Sequence, residues 1–419
     1  MQNTKQISLA RWSMWALSVL FFYYDMFART YPAIMIDKVM KTFHINASSV
    51  GLIDSLYFYI FAVMQIPVGL ILDRFGAKKV FPLAMILAGC GEILYGAAPA
   101  PWALGLARIL SGCGNSFAFI GMIYISSHWF EKKHCALLIG AGTGIGFLGA
   151  FVAQGPVAFL VHSLSWHTLS ICFGIAGLVL GVLTYFVGVF CPKNIHLAEH
   201  ARSFKEELLG LKEVLTHPQS WLNAIITTLL NGATIAFLSL WGTLFLVQTR
   251  EMSLQRAGFA VSMISIGWII GAPLIGELSD YFRKRRPFVI YSSLLATLAF
   301  LPIIYLGNMS IIIISILFLI IGICSSAQLQ NYTLTLMLHH DRASGAASSW
   351  LHFVSILGGS LLQVGVGASL NFLGHNSMHK GMQVFSPTHW KLVISIFPII
   401  FFIAFLLSFF LKEYYHEEY

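Results

Sequence analysis

Residues 69–79 read "GLILDRFGAKK": an apolar run closes on Asp73, Arg74, Gly76 and the pair Lys78 and Lys79. About half a chain later, residues 276–286 read "GELSDYFRKRR", where another apolar run closes on a glycine, Asp280 and a cluster of basic residues. A hydrophobic segment that stops abruptly at several positive charges has the form of a helix leaving a bilayer on the side where Lys and Arg are retained. Its recurrence half a chain later points to a duplicated unit.

Composition agrees with a membrane setting. Of 419 residues, 57% are hydrophobic, 14% aromatic and only 10% charged. Mean hydropathy is +0.78, well outside the range of soluble domains. The formal net charge is nevertheless +8, so the basic residues are concentrated, either on a nucleic-acid face or beside anionic lipid. Their positions decide between the two.

A bilayer-spanning helix needs roughly 20 mostly apolar residues. Twelve segments qualify and are numbered here as spans 1 to 12: 9–35, 46–72, 79–99, 102–128, 134–161, 168–191, 219–248, 254–279, 286–306, 309–338, 342–373 and 388–411. With the N-terminus inside, seventeen of the 25 Lys and Arg residues fall on the inner connections, including Arg74, Lys78, Lys79, Lys132, Lys133 and Arg283 to Arg286. Six fall on the outer ones, Lys38, Lys41, Arg250, Arg256, Lys380 and Lys391, and Arg29 and Arg108 lie inside spans. The positive balance is therefore loop charge facing the cytoplasm, and a nucleic-acid-binding role is excluded. Both termini are expected in the cytoplasm.

The connections are short except for Pro192 to Ser220, which is polar and carries the apolar spacing of an interfacial helix at Leu208, Leu209, Leu211 and Val214. The expected organisation is a six-helix unit over 1–191, a cytoplasmic linker with an amphipathic helix over 192–218, and a second six-helix unit over 219–419. Lys5 and Arg11 precede span 1, but no small-residue cleavage site closes a short hydrophobic region, so span 1 is expected to remain. The six cysteines show neither CxxC nor Cys/His ligand spacing, and neither disulfides nor a metal are expected.

Gly69, Asp73, Arg74, Gly76 and Lys78/Lys79 resemble the loop motif of the major facilitator superfamily. Arg108-x-x-x-Gly112-x-Gly114 in span 4 resembles its second motif, and "GAGTGIGFLGAFVAQGP", Gly140 to Pro156 in span 5, resembles its glycine-rich motif ending in Gly-Pro. The resemblance covers essentially the whole chain. It implies an all-α membrane protein with 12 transmembrane helices in two pseudo-symmetric six-helix bundles, which rock about a central site to give alternating access. It implies no cofactor, and a single chain that holds the whole pathway, so a monomer is expected. It also implies a gating role for Gly69, Asp73, Arg74, Gly76, Lys78 and, in the second copy, Asp280. That copy departs from the pattern: Tyr281 stands where the motif has arginine, and no glycine follows.

Physical chemistry supports parts of this. A small residue at Gly69 permits close helix approach in a bilayer, and Asp73 can accept from the amides of a facing helix N-terminus, worth roughly 0.3–1 kcal/mol. Gly144-x-Gly146-x-x-Gly149 matches a dinucleotide-binding pattern only formally, since it lies inside a span with no preceding strand; helix packing and bending are expected there. No HExxH, GxSxG or Walker loop is present, and no enzyme is expected.

Ionisable groups inside a bilayer each cost at least about 2.5–3.5 kcal/mol and ordinarily face a partner or a wet cavity. Five are found: Asp25, Arg29, Asp54, Glu92 and Arg108. Asp25 and Arg29 stand at i, i+4 and can pair, with Tyr23 and Tyr24 beside them. Glu92 has no evident partner. The resemblance implies that spans 1 and 4 line the central cavity, and Arg29 and Arg108 are expected at similar depth there. Two guanidiniums with one nearby acid suit a carboxylate or phosphate held by bidentate hydrogen bonds; the alternative is a buried structural network.

Span 7 carries a polar stripe, Asn223, Thr227, Asn231, Thr234 and Trp241. Span 10 adds Ser325, Ser326, Gln328, Gln330 and Asn331, and span 11 adds Trp350 and His352. Such groups contact solute or act as interhelical glue worth roughly 0.6–2 kcal/mol. The candidate solute-binding set is Tyr24, Arg29, Arg108, Asn231, Gln330, Asn331, Trp350 and His352. For proton coupling Asp25 leads, because a solute can switch the protonation of a buried acid beside a cation; Asp54 and His352 follow. No acid-rich cluster suggests sodium.

Tyr24-Asp25-x-x-x-Arg29 loosely resembles anion and organic-phosphate carriers of the superfamily, and "HWFEKK" after span 4 resembles importers of amino acids or small peptides. The expected function is secondary active, proton-coupled import of a small carboxylate-bearing solute (amino acid, small peptide or organic acid) across a bacterial inner membrane. A drug/proton antiporter is the main rival, since it shares the Gly-Pro motif, although exporters of apolar cations gain nothing from two cavity arginines. A non-transporting receptor on the same fold is the other alternative.

Overall fold

The computed structural model describes residues 2–161, 164–190, 204–307, 309–339, 344–373, 378–379, 382–383 and 385–413. Within these, the chain is helical apart from a two-strand hairpin pairing Met378–His379 with Met382–Gln383. Helix Gln2–Thr30 is followed by eleven helical segments long and apolar enough to cross a membrane, from Ala47–Gln65 to Pro387–Ser408. The fold is the 12-helix arrangement expected.

Local sequence explains the breaks. Span 1 tightens into the 3-10 turn Tyr31–Ile34 where Pro32 withholds an N–H, then continues as the short helix Ile36–Phe43. Spans 2 (Ala47–Phe75) and 3 (Ala77–Gly96) are separated by Gly76 alone, at φ 75, a conformation that favours glycine. At the matching turn between spans 8 (Leu254–Tyr281) and 9 (Arg286–Tyr305), Arg283 takes φ 50. The second copy therefore makes its reversal without the motif's glycine and carries the strain of a left-handed L-residue, about 1–2 kcal/mol.

Span 7 is not one regular helix. It runs Pro218–Thr227, widens into π turns at Thr228–Gly232 and Phe237–Trp241, and ends as Gly242–Arg250. Each π turn adds a residue to the helical circuit and divides the polar stripe between two neighbours. Thr227 accepts from Asn331 Nδ2 (3.2 Å) and Thr234 donates to Ser325 (2.7 Å), both on span 10. Asn231 donates to Ser355 (2.9 Å) and Trp241 to the Gln363 carbonyl (2.9 Å), both on span 11.

In the expected linker, residues 191–203 lie outside the described residues. Helix Phe204–Thr216 follows; its Leu211 and Val214 pack against Ala346, Ala347 and Trp350 at the start of span 11 (Ser344–Leu373). It thus covers the basic end of that span.

The first six spans and the last six meet along two seams, span 2 with span 11 and span 5 (Lys132–Leu160) with span 8. Along the first seam, a Cβ built on Gly367 would lie 2.6 Å from the Ala47 carbonyl, and one on Gly51 3.3 Å from the Gln363 carbonyl. Phe61 and His352 then face each other at 6.1 Å, and at Gly69 no atom of another helix among the described residues lies within 4 Å of the built Cβ. Along the second seam, Phe147 stacks on Trp268 at 5.0 Å; among the described residues Gly144 meets only Ile269, at 3.9 Å, and Gly140 meets nothing within 4 Å. The halves close at the end opposite the basic loops and part toward the loops that carry residues 69–79 and 276–286.

Candidate substrate and coupling site

Span 2 organises the interior through three residues on one face, Asp54, Tyr57 and Phe61, at i, i+3 and i+7. Phe61 lies under the Arg29 guanidinium, 4.4 Å from carbon to ring centroid, a cation–π contact. Tyr57 donates to Asp25 Oδ1 (2.5 Å), and Asp54 pairs with Arg108 across 2.7 Å. Span 2 can come this close to span 4 because a side chain on Gly112 would overlap the Tyr57 backbone. Here the second motif's glycine sets the depth of the site.

Asp25 and Arg29 form the expected i, i+4 pair. Arg29 Nε donates to Oδ1 at 3.1 Å and its terminal nitrogen contacts Oδ2. Asp25 is fully buried, whereas Arg29 retains 7% exposure. Beyond Phe61, the His352 ring of span 11 shares a hydrogen bond with the Tyr332 hydroxyl of span 10 (3.1 Å) and lies 6.5 Å from Phe119 of span 4. Arg29 thus reaches the meeting point of spans 1, 2, 4, 10 and 11.

Arg108 has different surroundings. It is fully buried, donates to the Ala28 carbonyl (3.0 Å) and pairs with Asp54. Its guanidinium lies 4.6 Å from the Tyr57 ring centroid and its Nη1 is 3.9 Å from Glu92. Glu92, without a partner in the sequence reading, accepts from the hydroxyls of Tyr31 and Ser111. Asp54 Oδ2 accepts from Gln363 Nε2 at 2.6 Å, a bond that crosses between the halves.

One expectation is thereby corrected. Two guanidiniums with one nearby acid would leave a positive cavity, but three carboxylates, Asp25, Asp54 and Glu92, share Arg29 and Arg108. With all five ionised, the cluster is formally negative. Asp54 and Glu92 were missed as partners because separation along the chain says nothing about which way two helices are rotated. The available signal was the face shared by Asp54, Tyr57 and Phe61, together with Glu92 itself, which had to find donors to be tolerated in a bilayer.

The remaining candidates scatter. Tyr24 stacks on Phe173 of span 6 at 4.1 Å, inside the first six spans. Asn231 and Asn331 bridge span 7 to spans 11 and 10. Gln330 accepts from Ser279 and Arg285, each at 3.0 Å, at the basic end, and Trp350 packs edge-on against Trp221, 4.7 Å away. Among the described contacts, none of these five joins the Arg29 cluster. Among the gating candidates, Gly69 has no close neighbour on another helix among the described residues, Arg74 covers Phe75, Lys78 lies over Trp129, and Asp280 pairs with Arg285 of its own half at 2.9 Å. The side chain of Asp73 lies outside the described residues. No group of three His, Cys, Asp or Glu fit to hold a metal occurs among the described residues.

Comparison with known proteins bears on the fold and the family. Relatives include the probable galactarate/D-glucarate transporters GudP of Bacillus subtilis (strain 168), 25% identical over 59% of this chain and 60% of its own length, and GarP of Escherichia coli (strain K12), 24% identical over 59% and 62%. The chain thus spans about three fifths of these relatives. The membrane sensor protein UhpC of Escherichia coli (strain K12) is 23% identical over 66% of this chain and 64% of its own. In fold, the chain matches a bacterial homologue of the human lysosomal transporter Spinster in an inward-facing, unoccupied conformation, with TM-score 0.77, 16% identity and coverage of 96% and 97%. It also matches the nucleoside transporter NupG, with TM-score 0.75, 16% identity and coverage of 96% and 100%. The family model of the Major Facilitator Superfamily matches residues 15–363. With its motifs lying on spans 2, 4 and 5 of a two-seamed 12-helix fold, the chain belongs to the Major Facilitator Superfamily.

Proposed function

We propose that the protein is a proton-coupled importer of a small organic anion, and that Arg29 receives a carboxylate of the solute. The observation that carries this reading is the difference between the two arginines. Arg108 is enclosed by Asp54, Glu92 and a backbone carbonyl, whereas Arg29 has a single carboxylate partner and reaches the space beside Phe61 and His352. A planar guanidinium exchanges one carboxylate for another at little geometric cost. When the solute carboxylate takes the guanidinium, Asp25 is left with Tyr57 and becomes the group that accepts a proton. Solute and proton then load together.

The relatives named for galactarate and D-glucarate favour a hydroxylated acid over a peptide. His352 and Tyr332, hydrogen-bonded beside Phe61, are the groups proposed to meet its hydroxyls. With the basic loops in the cytoplasm, the described state opens to the cytoplasm, and the 69–79 loop is released from the opposite half. Each six-helix unit acts as one rocking body, and a monomer in the inner membrane suffices.

The test is uptake into proteoliposomes under an inward proton gradient, using labelled hydroxylated dicarboxylates, monocarboxylates, amino acids, dipeptides, sugar phosphates and a lipophilic cation. Gradient-driven accumulation of a carboxylate supports the reading. Movement of the lipophilic cation alone would replace it with drug antiport. Likeness to a sensor protein gives one further reading, a receptor, which predicts solute binding to the purified chain with no flux.

A further inference from the structure

We infer that Asp54 is a proton-released latch holding the halves together at the end opposite the basic loops, and that Glu92 is the second seat that takes Arg108 when the latch opens. The inference rests on alternating access but not on any choice of solute.

Three observations meet here. Asp54 is bonded on both sides, to Arg108 within its own half (2.7 Å) and to Gln363 of the other half (2.6 Å). Gln363 is itself fixed, because its carbonyl accepts from Trp241 (2.9 Å). Its side chain therefore presents a positioned donor to Asp54. Around this bond Gly51 lies against the Gln363 carbonyl and Gly367 against that of Ala47, with the Trp241 ring beside both glycines, contacts that provide shape but little polar attachment. Glu92, on the far side of Arg108 at 3.9 Å, already holds the hydroxyls of Tyr31 and Ser111. A carboxylate with two donors and a cation just out of contact is ready to accept that cation.

The set of Arg108, Asp54 and Glu92 carries a formal charge of −1, buried among apolar helices. One proton taken from solution onto the Asp54 carboxylate brings it to zero. Arg108 then keeps a full ion pair only by moving to Glu92, and the Gln363 bond changes from charge-assisted to neutral, roughly halving its strength. Among the described residues, the titratable groups facing this set are Tyr57 on span 2, Tyr95 on span 3 and Tyr31 after span 1. Asp25 and Arg29 are committed to each other. From span 11, Asp54 meets the amide of Gln363.

The test uses the full chain in lipid nanodiscs without solute, with native cysteines replaced and spin labels at Leu52→Cys on span 2 and Ser369→Cys on span 11. Inter-label distances are measured from pH 8 to pH 5.5. The parent protein is expected to show a short distance at pH 8 and a growing long-distance population as pH falls. Asp54→Asn should raise the long-to-short ratio at pH 8 by about tenfold or more, the size of one hydrogen bond to a charged group, and abolish its pH dependence. Glu92→Gln should keep the short distance at pH 8 and shift the opening at least one unit more acidic. Gln363→Ala, which leaves the charges intact, should raise the ratio at pH 8 as well, and it decides the matter if Asp54→Asn does not fold. Opening curves for Asp54→Asn or Gln363→Ala that coincide with the parent's would overturn the latch. So would a loss of thermal stability in either with no change in the distances.

Discussion

Replacing Arg108 with alanine removes the guanidinium that pairs with Asp54 and stands beside Glu92. Asp54 loses its 2.7 Å partner and Glu92 its neighbour at 3.9 Å, while the Ala28 carbonyl loses a 3.0 Å donor. Removing one member of a buried ion pair costs about 3–5 kcal/mol, but the stranded carboxylate can neutralise itself instead. At pH 7, protonating an acid that ordinarily titrates near pH 4 costs about 1.36 kcal/mol for each of about three units, which sets a ceiling of about 4 kcal/mol on the charge penalty. The lost carbonyl bond adds about 1 kcal/mol. The ceiling falls by about 1.4 kcal/mol for each unit of acidification, so the variant should approach the parent as pH drops. For a chain of 419 residues, the total of about 5 kcal/mol corresponds to a fall in Tm of up to about 6 °C at the usual unfolding entropy per residue. Thermal unfolding followed by tryptophan fluorescence in detergent from pH 8 to pH 5 reads this directly. A variant with the parent's Tm at pH 7, or a deficit that does not shrink in acid, would refute the account of Arg108 as an enclosed counter-charge.

Arg29→Lys keeps the charge but loses the planar fork; carboxylate uptake should fall at least about tenfold, while stability stays within about 1 kcal/mol of the parent, a Tm change of about 1 °C, checked by parallel flux and melting. Asp25→Asn should retain solute exchange across proteoliposomes yet lose uphill accumulation, measured as counterflow against proton-driven uptake. Gly112→Ala places a methyl against the Tyr57 backbone and should cost about 1–3 kcal/mol by overpacking while weakening uptake, seen as a lowered Tm with reduced flux.

Much of the fold was legible because a bilayer imposes length and polarity on every crossing. Span 7 was expected over 219–248 and runs Pro218–Arg250; span 5 was expected over 134–161 and runs Lys132–Leu160. The amphipathic spacing at Leu211 and Val214 likewise announced a helix that lies against the bundle. Rotation about the helix axes was not legible. Tyr24 is next to Asp25 in sequence, yet it turns to Phe173 while Asp25 turns to Tyr57. Gln330 and Asn331 are adjacent and serve different ends, one at the basic loop with Arg285 and the other on span 7. The π turns of span 7 broke the regular spacing assumed for its stripe. Arg29 and Arg108 read as equals in sequence, and only the placement of Asp54 and Glu92 separates them.

The central claim is that a carboxylate solute and a proton load together beside Arg29. The most direct measurement is internal pH, reported by a dye trapped in proteoliposomes, on adding a hydroxylated dicarboxylate outside with no pre-set gradient. The account predicts internal acidification that requires the protein, saturates with solute and is lost in Asp25→Asn. Solute entry with no accompanying acidification would contradict it.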